Sequence, residues 1–366
     1  MNFGIKIKHR GKFGNENMNF GGKRILVTGH TGFKGTWISH LLSHFNPELF
    51  GISLHPKLED SFPESNSRPS INEFFLDIRD LNLITHVIGD INPEIVIHMA
   101  AQPLVLNSYE MPLETYQTNV MGTANILEAL KTTGCTASVV VVTTDKVYLN
   151  CESSSGYRED DPLGGLDPYS GSKSAAELVV NSWRESVKDI GKLNFVTVRS
   201  GNVIGGGDKA ENRIIPDLIR AIKSGGIINI RNPKSIRPWQ HVLDTLYGYL
   251  LVADKLQSGA TTHNSYNFGP DENSRITVLE LAKLFNSQWP GGGEIEVDSS
   301  ALVERKETGV LWLNSDRARM DLGWKPMLDI ESTLGWIVEW ESALNDMSTF
   351  EKLQFQTQRY LEKVPQ

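Results

Sequence analysis

Apolar and polar positions follow two alternating periods along the first half of the chain. Short runs of consecutive apolar residues, such as "RILV" at 24–27, "IVIHM" at 95–99 and "VVVV" at 139–142, alternate with longer stretches carrying an apolar residue every three or four positions. The runs read as strands buried on both faces and the stretches as amphipathic helices. Strands are predicted at 23–29, 48–53, 72–78, 93–101, 137–144 and 193–200, with helices at 35–45, 81–91, 113–134 and 168–186. Such alternation builds a parallel sheet covered on both sides, a Rossmann-type doubly wound α/β fold.

From Gly201 the rhythm breaks. A Gly-rich stretch (201–208), helices at 213–226, 241–256 and 277–287, and strands at 227–230 and 265–270 predict a smaller mixed α/β lobe. The expected division is a dinucleotide-binding half at 21–200 and a substrate lobe at 201–345, with some chain crossing between them. Residues 346–366 are expected to form a weakly packed tail. Residues 1–20 are basic and Gly/Asn-rich without the apolar segment of a signal peptide, and read as a disordered leader with Met18 as an alternative start.

Composition narrows the function. Net charge is −8 over 366 residues and the pI is near 5.7, which argues against a broad nucleic-acid or anionic-membrane surface. No apolar run approaches the length of a membrane span. The two cysteines, Cys135 and Cys151, show no zinc or disulfide pattern, so a reducing cytoplasm fits and no metal is expected.

Between the first strand and first helix, "GHTGFKG" places Gly29, Gly32 and Gly35 at GxxGxxG spacing, with Phe33 and Lys34 inside the turn. A tight turn leading into a helix N-terminus is what a dinucleotide pyrophosphate needs. The acidic residue that holds an adenosine ribose is missing at the end of strand two, where Ser53, His55 and Lys57 stand instead. That absence keeps NADP open, since His55 or Lys57 would suit a 2′-phosphate, while NAD is the expected cofactor. Asp77, followed by Ile78 at the end of strand three, is placed to accept from the adenine amine or to cap the next helix.

"YSGSK" sets Tyr169 and Lys173 four apart on one helix face. A nearby ammonium is expected to lower the phenol's pKa and make it usable as a base toward a hydroxyl. Directly after the fifth strand, "TTDKVY" (143–148) sets Thr144, Asp145 and Lys146 side by side, which reads either as a solvated turn or as an acid/base pair.

Together these motifs resemble the extended short-chain dehydrogenase/reductase family from about Lys23 to at least Trp336. The resemblance implies that Tyr169 takes a proton from a sugar hydroxyl while hydride leaves for the nicotinamide, with Lys173 on the nicotinamide ribose. It adds Ala100, Ala101, Gln102, Asn119 and Thr143 to the cofactor site. An acid/base pair after strand five is the mark of the family's sugar-nucleotide 4,6-dehydratases, in which Asp145 would serve as acid, Lys146 as base and Thr144 as a hydrogen-bonding partner of the carbon 4 oxygen. "GHTGFKGTW", "AAQPLV" and "RPWQHVLD" resemble the members that act on CDP-glucose, in deoxysugar and O-antigen-type biosynthesis. Asn202, Arg213 and Arg237 would then meet the substrate diphosphate. Trp239 and His241 read as packing residues, and Glu307 as a stand-in for an acidic position of the group. An epimerase or a dehydratase for a UDP-, dTDP- or GDP-linked sugar is the alternative, and a non-catalytic dinucleotide-binding protein a remote one. The resemblance also implies a homodimer, with a tetramer as the alternative, paired through the helices at 113–134 and 168–186.

Overall fold

The computed structural model describes residues 18–365, except 152, 154, 188–191, 231, 262 and 298–308. Glu307 therefore lies outside the described residues.

In chain order the first half runs β1 (Arg24–Thr28), α1 (Phe33–Ser43), β2 (Glu48–Ser53), β3 (Asn72–Phe75), α2 (Leu81–Ile91), β4 (Ile95–His98), α3 (Val105–Glu110), α4 (Pro112–Tyr116), α5 (Gly122–Thr132), β5 (Ala137–Val142), α6 (Pro168–Val187) and β6 (Leu193–Ser200). The second half adds β7 (Val203–Ile204), α7 (Ile214–Lys223), β8 (Ile228–Ile230), β9 (Gln240–His241), α8 (Val242–Gln257), β10 (Ser265–Phe268), α9 (Val278–Gln288), β11 (Ile295–Val297), α10 (Asp316–Leu322), α11 (Ile330–Ser342) and α12 (Thr349–Leu361). Seven parallel strands form one sheet in the order β10-β6-β5-β4-β1-β2-β3. The order reverses between β1 and β4, which opens a crevice at their carboxyl ends, the place where such sheets bind ligands.

All residues of β4 and β5 are buried, because helices cover both faces. One face packs α1 and α8 against Val27, Val140 and Val198, with α12 laid over α1. The other packs α2, α5 and α6 against Leu26, Val139 and Val141. A third core, around Ile215, Trp239, Leu281 and Ile337, holds the lobe together.

Three expectations need correction. The helix read at 113–134 is α4 and α5 joined by a π-helical turn at Gln117–Met121, a wider turn that apolar spacing does not register. Met18 and Phe20, counted with the leader, are buried against the core, with Phe20 edge-on to Phe45. The carboxyl end is not weakly packed. It forms α12, which is closed by a capping box between Ser348 and Glu351 and buries Leu353 and Tyr360. Tyr360 Oη donates to Asp244 Oδ1 at 2.8 Å, and the same carboxylate accepts from the backbone N–H of Met327 at 2.7 Å and Leu328 at 3.3 Å. Burial pushes the Asp244 carboxyl up to about 7.

Candidate active site

β1 is followed directly by Gly29, whose φ of +74° suits glycine. A Cβ there would lie 2.9 Å from Ala100 N, and one on Gly35 would lie 2.0 Å from Gly29 O. Backbone thus packs where side chains would stand. Gly32 caps α1 without a side-chain hydrogen bond, and the first turn carries no acid. This leaves the helix N-terminus suited to an anion. Thr28 Oγ1 accepts from Met99 N and Ala100 N, both at 3.1 Å, tying the loop after β4 to the turn. Further along that loop, Gln102 N donates to Asn119 Oδ1 at 2.8 Å. Asn119 in turn donates to Gln102 O at 3.1 Å and to Ser172 Oγ at 2.9 Å. Asn119 sits in the π-helical turn and links this loop, with Ala100 and Ala101, to the helix that carries Tyr169.

At the adenosine end, Ser53 Oγ lies 2.6 Å from Thr31 Oγ1, and His55 stacks on Phe75 with centroids 4.0 Å apart. Asp77 does not cap α2, since Asp80 accepts from Leu83 N instead. The Asp77 carboxylate is forked onto Arg79 at 2.6 and 2.9 Å, and that hydrogen bonding holds it below the usual carboxylate range. Ile78 is buried beneath Gly122.

Phe33 stacks on Phe62 at 6.3 Å. Lys34 turns inward, and its Nζ donates to Ser200 Oγ at 3.0 Å. Burial, then the charges of Arg213 and Lys173, lower it to about 7 against the pull of Asp145. Lys34 therefore belongs electrostatically to the catalytic crevice as much as to the glycine turn.

At the end of β5, Thr143 turns its hydroxyl to Glu177 Oε1 at 2.6 Å. Thr144 caps a single 3-10 turn at Asp145–Val147 and donates to Asp145 Oδ1 at 3.0 Å. Asp145 is 1% exposed, and its Oδ2 has no hydrogen-bond partner. A buried carboxylate oxygen left open is costly unless something comes to meet it. Its surroundings are narrow, since a Cβ on Gly201 would lie 3.1 Å from that oxygen and 2.1 Å from Pro238. Lys146 follows, half-buried. The solvated-turn reading is thereby excluded for Asp145.

Tyr169 and Lys173 are both buried on α6. The expected lowering of the phenol does not occur. Burial pushes Tyr169 up to about 12; a hydrogen bond to Thr144 opposes this and the Asp145 charge adds to it. Lys173 donates to Val142 O at 3.1 Å and is itself lowered to about 8 by burial, against the pull of Glu177. Desolvation is the largest influence on both groups.

From the lobe, Arg213 pairs with Asp208 at 3.1 Å, and its charge acts on both Lys34 and Tyr169, so it faces the crevice. Arg237 donates to Ile236 O at 2.9 Å. Asn202 O accepts from Gln240 N at 3.2 Å. Trp239 and His241 are buried packing residues as expected, with His241 capping α8 beside Trp37 and Trp336.

The family model described as GDP-mannose 4,6 dehydratase matches residues 26–335. The chain belongs to that dehydratase family. It is 43% identical over 333 residues to a CDP-glucose 4,6-dehydratase of Salmonella typhimurium, covering 88% of this chain and 91% of the relative. A dTDP-glucose 4,6-dehydratase of Haemophilus influenzae is 27% identical, covering 86% of this chain and 97% of the relative. Among solved structures, the dTDP-glucose 4,6-dehydratase DesIV of Streptomyces venezuelae, with NAD and TYD bound, superposes with a TM-score of 0.71. It is 22% identical and covers 86% of this chain and 96% of its own, a likeness of fold.

Beyond the residues read from sequence, this dehydratase-family chain carries a buried network behind the Asp145–Lys146 turn. Glu177 and Arg199 form an ion pair at 2.8 Å, with side chains 1% and 4% exposed. Tyr148, Glu159 and Asn267 complete the network. The signal was present: Glu177 follows Lys173 by four positions on the helix face that carries Tyr169 and Lys173, and Arg199 interrupts an apolar strand.

Proposed function

We propose that this chain is an NAD-using CDP-glucose 4,6-dehydratase, converting CDP-D-glucose to CDP-4-dehydro-6-deoxy-D-glucose with net loss of one water. The observation that carries the reading is the buried Asp145 carboxylate beside Lys146, whose Oδ2 has no partner while its Oδ1 accepts from Thr144 next to Tyr169. An epimerase has no use for an acid held there. The base of the nucleotide is inferred from the 43% identity to the Salmonella relative.

The glycine turn, the Ala100–Gln102 loop and Lys173 are suited to hold the dinucleotide. Bound there, NAD would accept hydride from carbon 4 and return it to carbon 6, and its positive ring would favour the phenolate. Tyr169 takes the proton of the carbon 4 hydroxyl while Thr144 hydrogen-bonds that oxygen. The resulting ketone acidifies the carbon 5 hydrogen, which Lys146 removes. Asp145, as the acid, passes a proton to the departing carbon 6 hydroxyl, so the C6–O bond breaks as the C5=C6 bond forms. A proton returned to carbon 5 completes the balance. Arg213, Arg237 and Asn202 would bind the diphosphate.

The product suits deoxysugar and O-antigen-type polysaccharide biosynthesis. Free Cys135 and Cys151 fit a reducing cytoplasm, and no described helix is long and apolar enough to cross a membrane. Exposed Leu113, Met121 and Leu178, at 77%, 55% and 61%, lie on α4, the π-helical turn and α6, and support pairing of two copies through these helices.

Mass spectrometry of CDP-, dTDP-, GDP- and UDP-glucose incubated separately with the protein tests the reading. One water should be lost from CDP-glucose alone, and Lys146→Ala or Asp145→Asn should abolish the loss. Four unchanged masses would overturn it.

A further inference from the structure

Both flanks of the Asp145–Lys146 turn are tied to a single buried ion pair. Glu177 lies one helical turn beyond Lys173 on α6, and Arg199 faces it from β6. The two are joined by a double contact, Nε to Oε1 at 2.8 Å and Nη2 to Oε2 at 2.9 Å. Upstream of the turn, Thr143 Oγ1 donates to Glu177 Oε1 at 2.6 Å. Downstream, Tyr148 Oη accepts from Arg199 Nη1 at 2.7 Å and donates to Asn267 Oδ1 at 2.7 Å. Only Thr144, Asp145, Lys146 and Val147 lie between these two anchors.

The pair is itself immobilised. Thr197 Oγ1 donates to Glu177 Oε2 at 2.7 Å, and Arg199 Nη1 reaches Glu159 O at 3.0 Å. A buried pair of this kind contributes little net stability because desolvation offsets its attraction. What it supplies is a fixed position. Acid–base catalysis is sensitive to such positioning, with a 1 Å misplacement costing on the order of a hundredfold.

We propose that Glu177 and Arg199 are positioning residues for the elimination step, holding Asp145 and Lys146 through Thr143 and Tyr148. The inference rests on the dehydratase reading above. Tyr169 stands on α6 itself, so carbon 4 oxidation does not depend on the downstream anchor. Loosening that anchor should slow elimination and spare oxidation.

Tyr148→Phe is the informative variant, since it removes one hydroxyl and keeps the ring. In single turnovers of NAD-loaded protein with CDP-glucose, nicotinamide absorbance should rise at the wild-type rate. Its decay, which follows elimination, should slow by about tenfold to a hundredfold. In protein without added cofactor, amide hydrogen exchange across 144–149 should speed up while α6 stays protected. Glu177→Gln loosens the upstream anchor beside Thr144 as well and removes a charge acting on Lys173, so it should slow both phases with the decay slowed more, and if it does not fold, Tyr148→Phe alone decides. Equal slowing of rise and decay, or no change in either with faster exchange absent, overturns the positioning role. Wild-type protein that changes no nucleotide sugar overturns the dehydratase reading instead.

Discussion

Replacing Asp244 by asparagine should make the protein more stable above neutral pH, although it alters a buried carboxylate with three hydrogen-bond donors around it. Burial raises the Asp244 carboxyl from 3.8 to about 7. The folded chain therefore binds a proton that the unfolded chain releases between those values, and stability falls as pH rises through that window. At about 1.4 kcal/mol per pH unit, the whole window costs about 4 kcal/mol, of which about 3 kcal/mol is expressed between pH 5 and pH 8. Asparagine does not titrate. Its oxygen can keep the contacts of Oδ1 with Met327 N and Tyr360 Oη, while its amide loses the longer one from Leu328 N, a constant loss of about 1 kcal/mol. Guanidinium denaturation of both proteins from pH 5 to pH 8 measures the difference directly, with all shared groups cancelling. The advantage of Asp244→Asn should grow by about 3 kcal/mol across that range. A flat difference, or one that shrinks as pH rises, would refute the placement of a raised carboxyl at this junction.

Gly35→Ala puts a methyl group where Gly29 O already stands, so NAD affinity measured by calorimetry should fall at least about tenfold with a lower melting temperature; wild-type affinity would contradict the turn's role. Ending the chain before Ser348 removes α12 and uncovers the core around Leu353 and Tyr360, so the melting temperature should drop by many degrees, and an unchanged melt would show α12 to be dispensable. Leu113→Glu combined with Met121→Glu should shift the protein to monomer in sedimentation with its circular dichroism intact; an unchanged assembly would rule out pairing through these helices.

The parallel, doubly covered sheet was legible because doubly buried strands read as continuous apolar runs, and the helices between them keep their period. The π-helical turn was hidden because "QTNVM" fits a helix by propensity and only hydrogen bonding tells the two apart. The tail was misjudged, yet Ser348 and Glu351 carry the spacing of a capping box that announces a helix. At the crevice, spacing and position after strands singled out Tyr169, Lys173 and Asp145, and all three are buried. The electrostatic sign at Tyr169 was not legible, because spacing along a helix reports a shared face but not which way an ammonium points or how dry its surroundings are. Lys173 aims at Val142 O, and desolvation dominates the phenol. Glu177 and Arg199 each carried a sequence signal, an acid four positions after Lys173 and a charge within an apolar strand, but their pairing across elements is displayed only by the folded chain.

The pairing of β10 with β6 bears on how the protein is made. A nascent chain leaving the ribosome has six of the seven sheet strands once Ser200 has emerged, but β6 then presents an unpaired edge. The strand that covers it arrives only with Ser265–Phe268, after the first part of the lobe has been synthesised. α8, which packs on the same sheet through Val242 and Leu246, also comes late. Until then the growing polypeptide exposes an apolar face and an open β edge, the features that invite aggregation and chaperone capture. Productive folding in the cell is thereby tied to completion of translation well beyond the glycine turn and the Tyr169 helix.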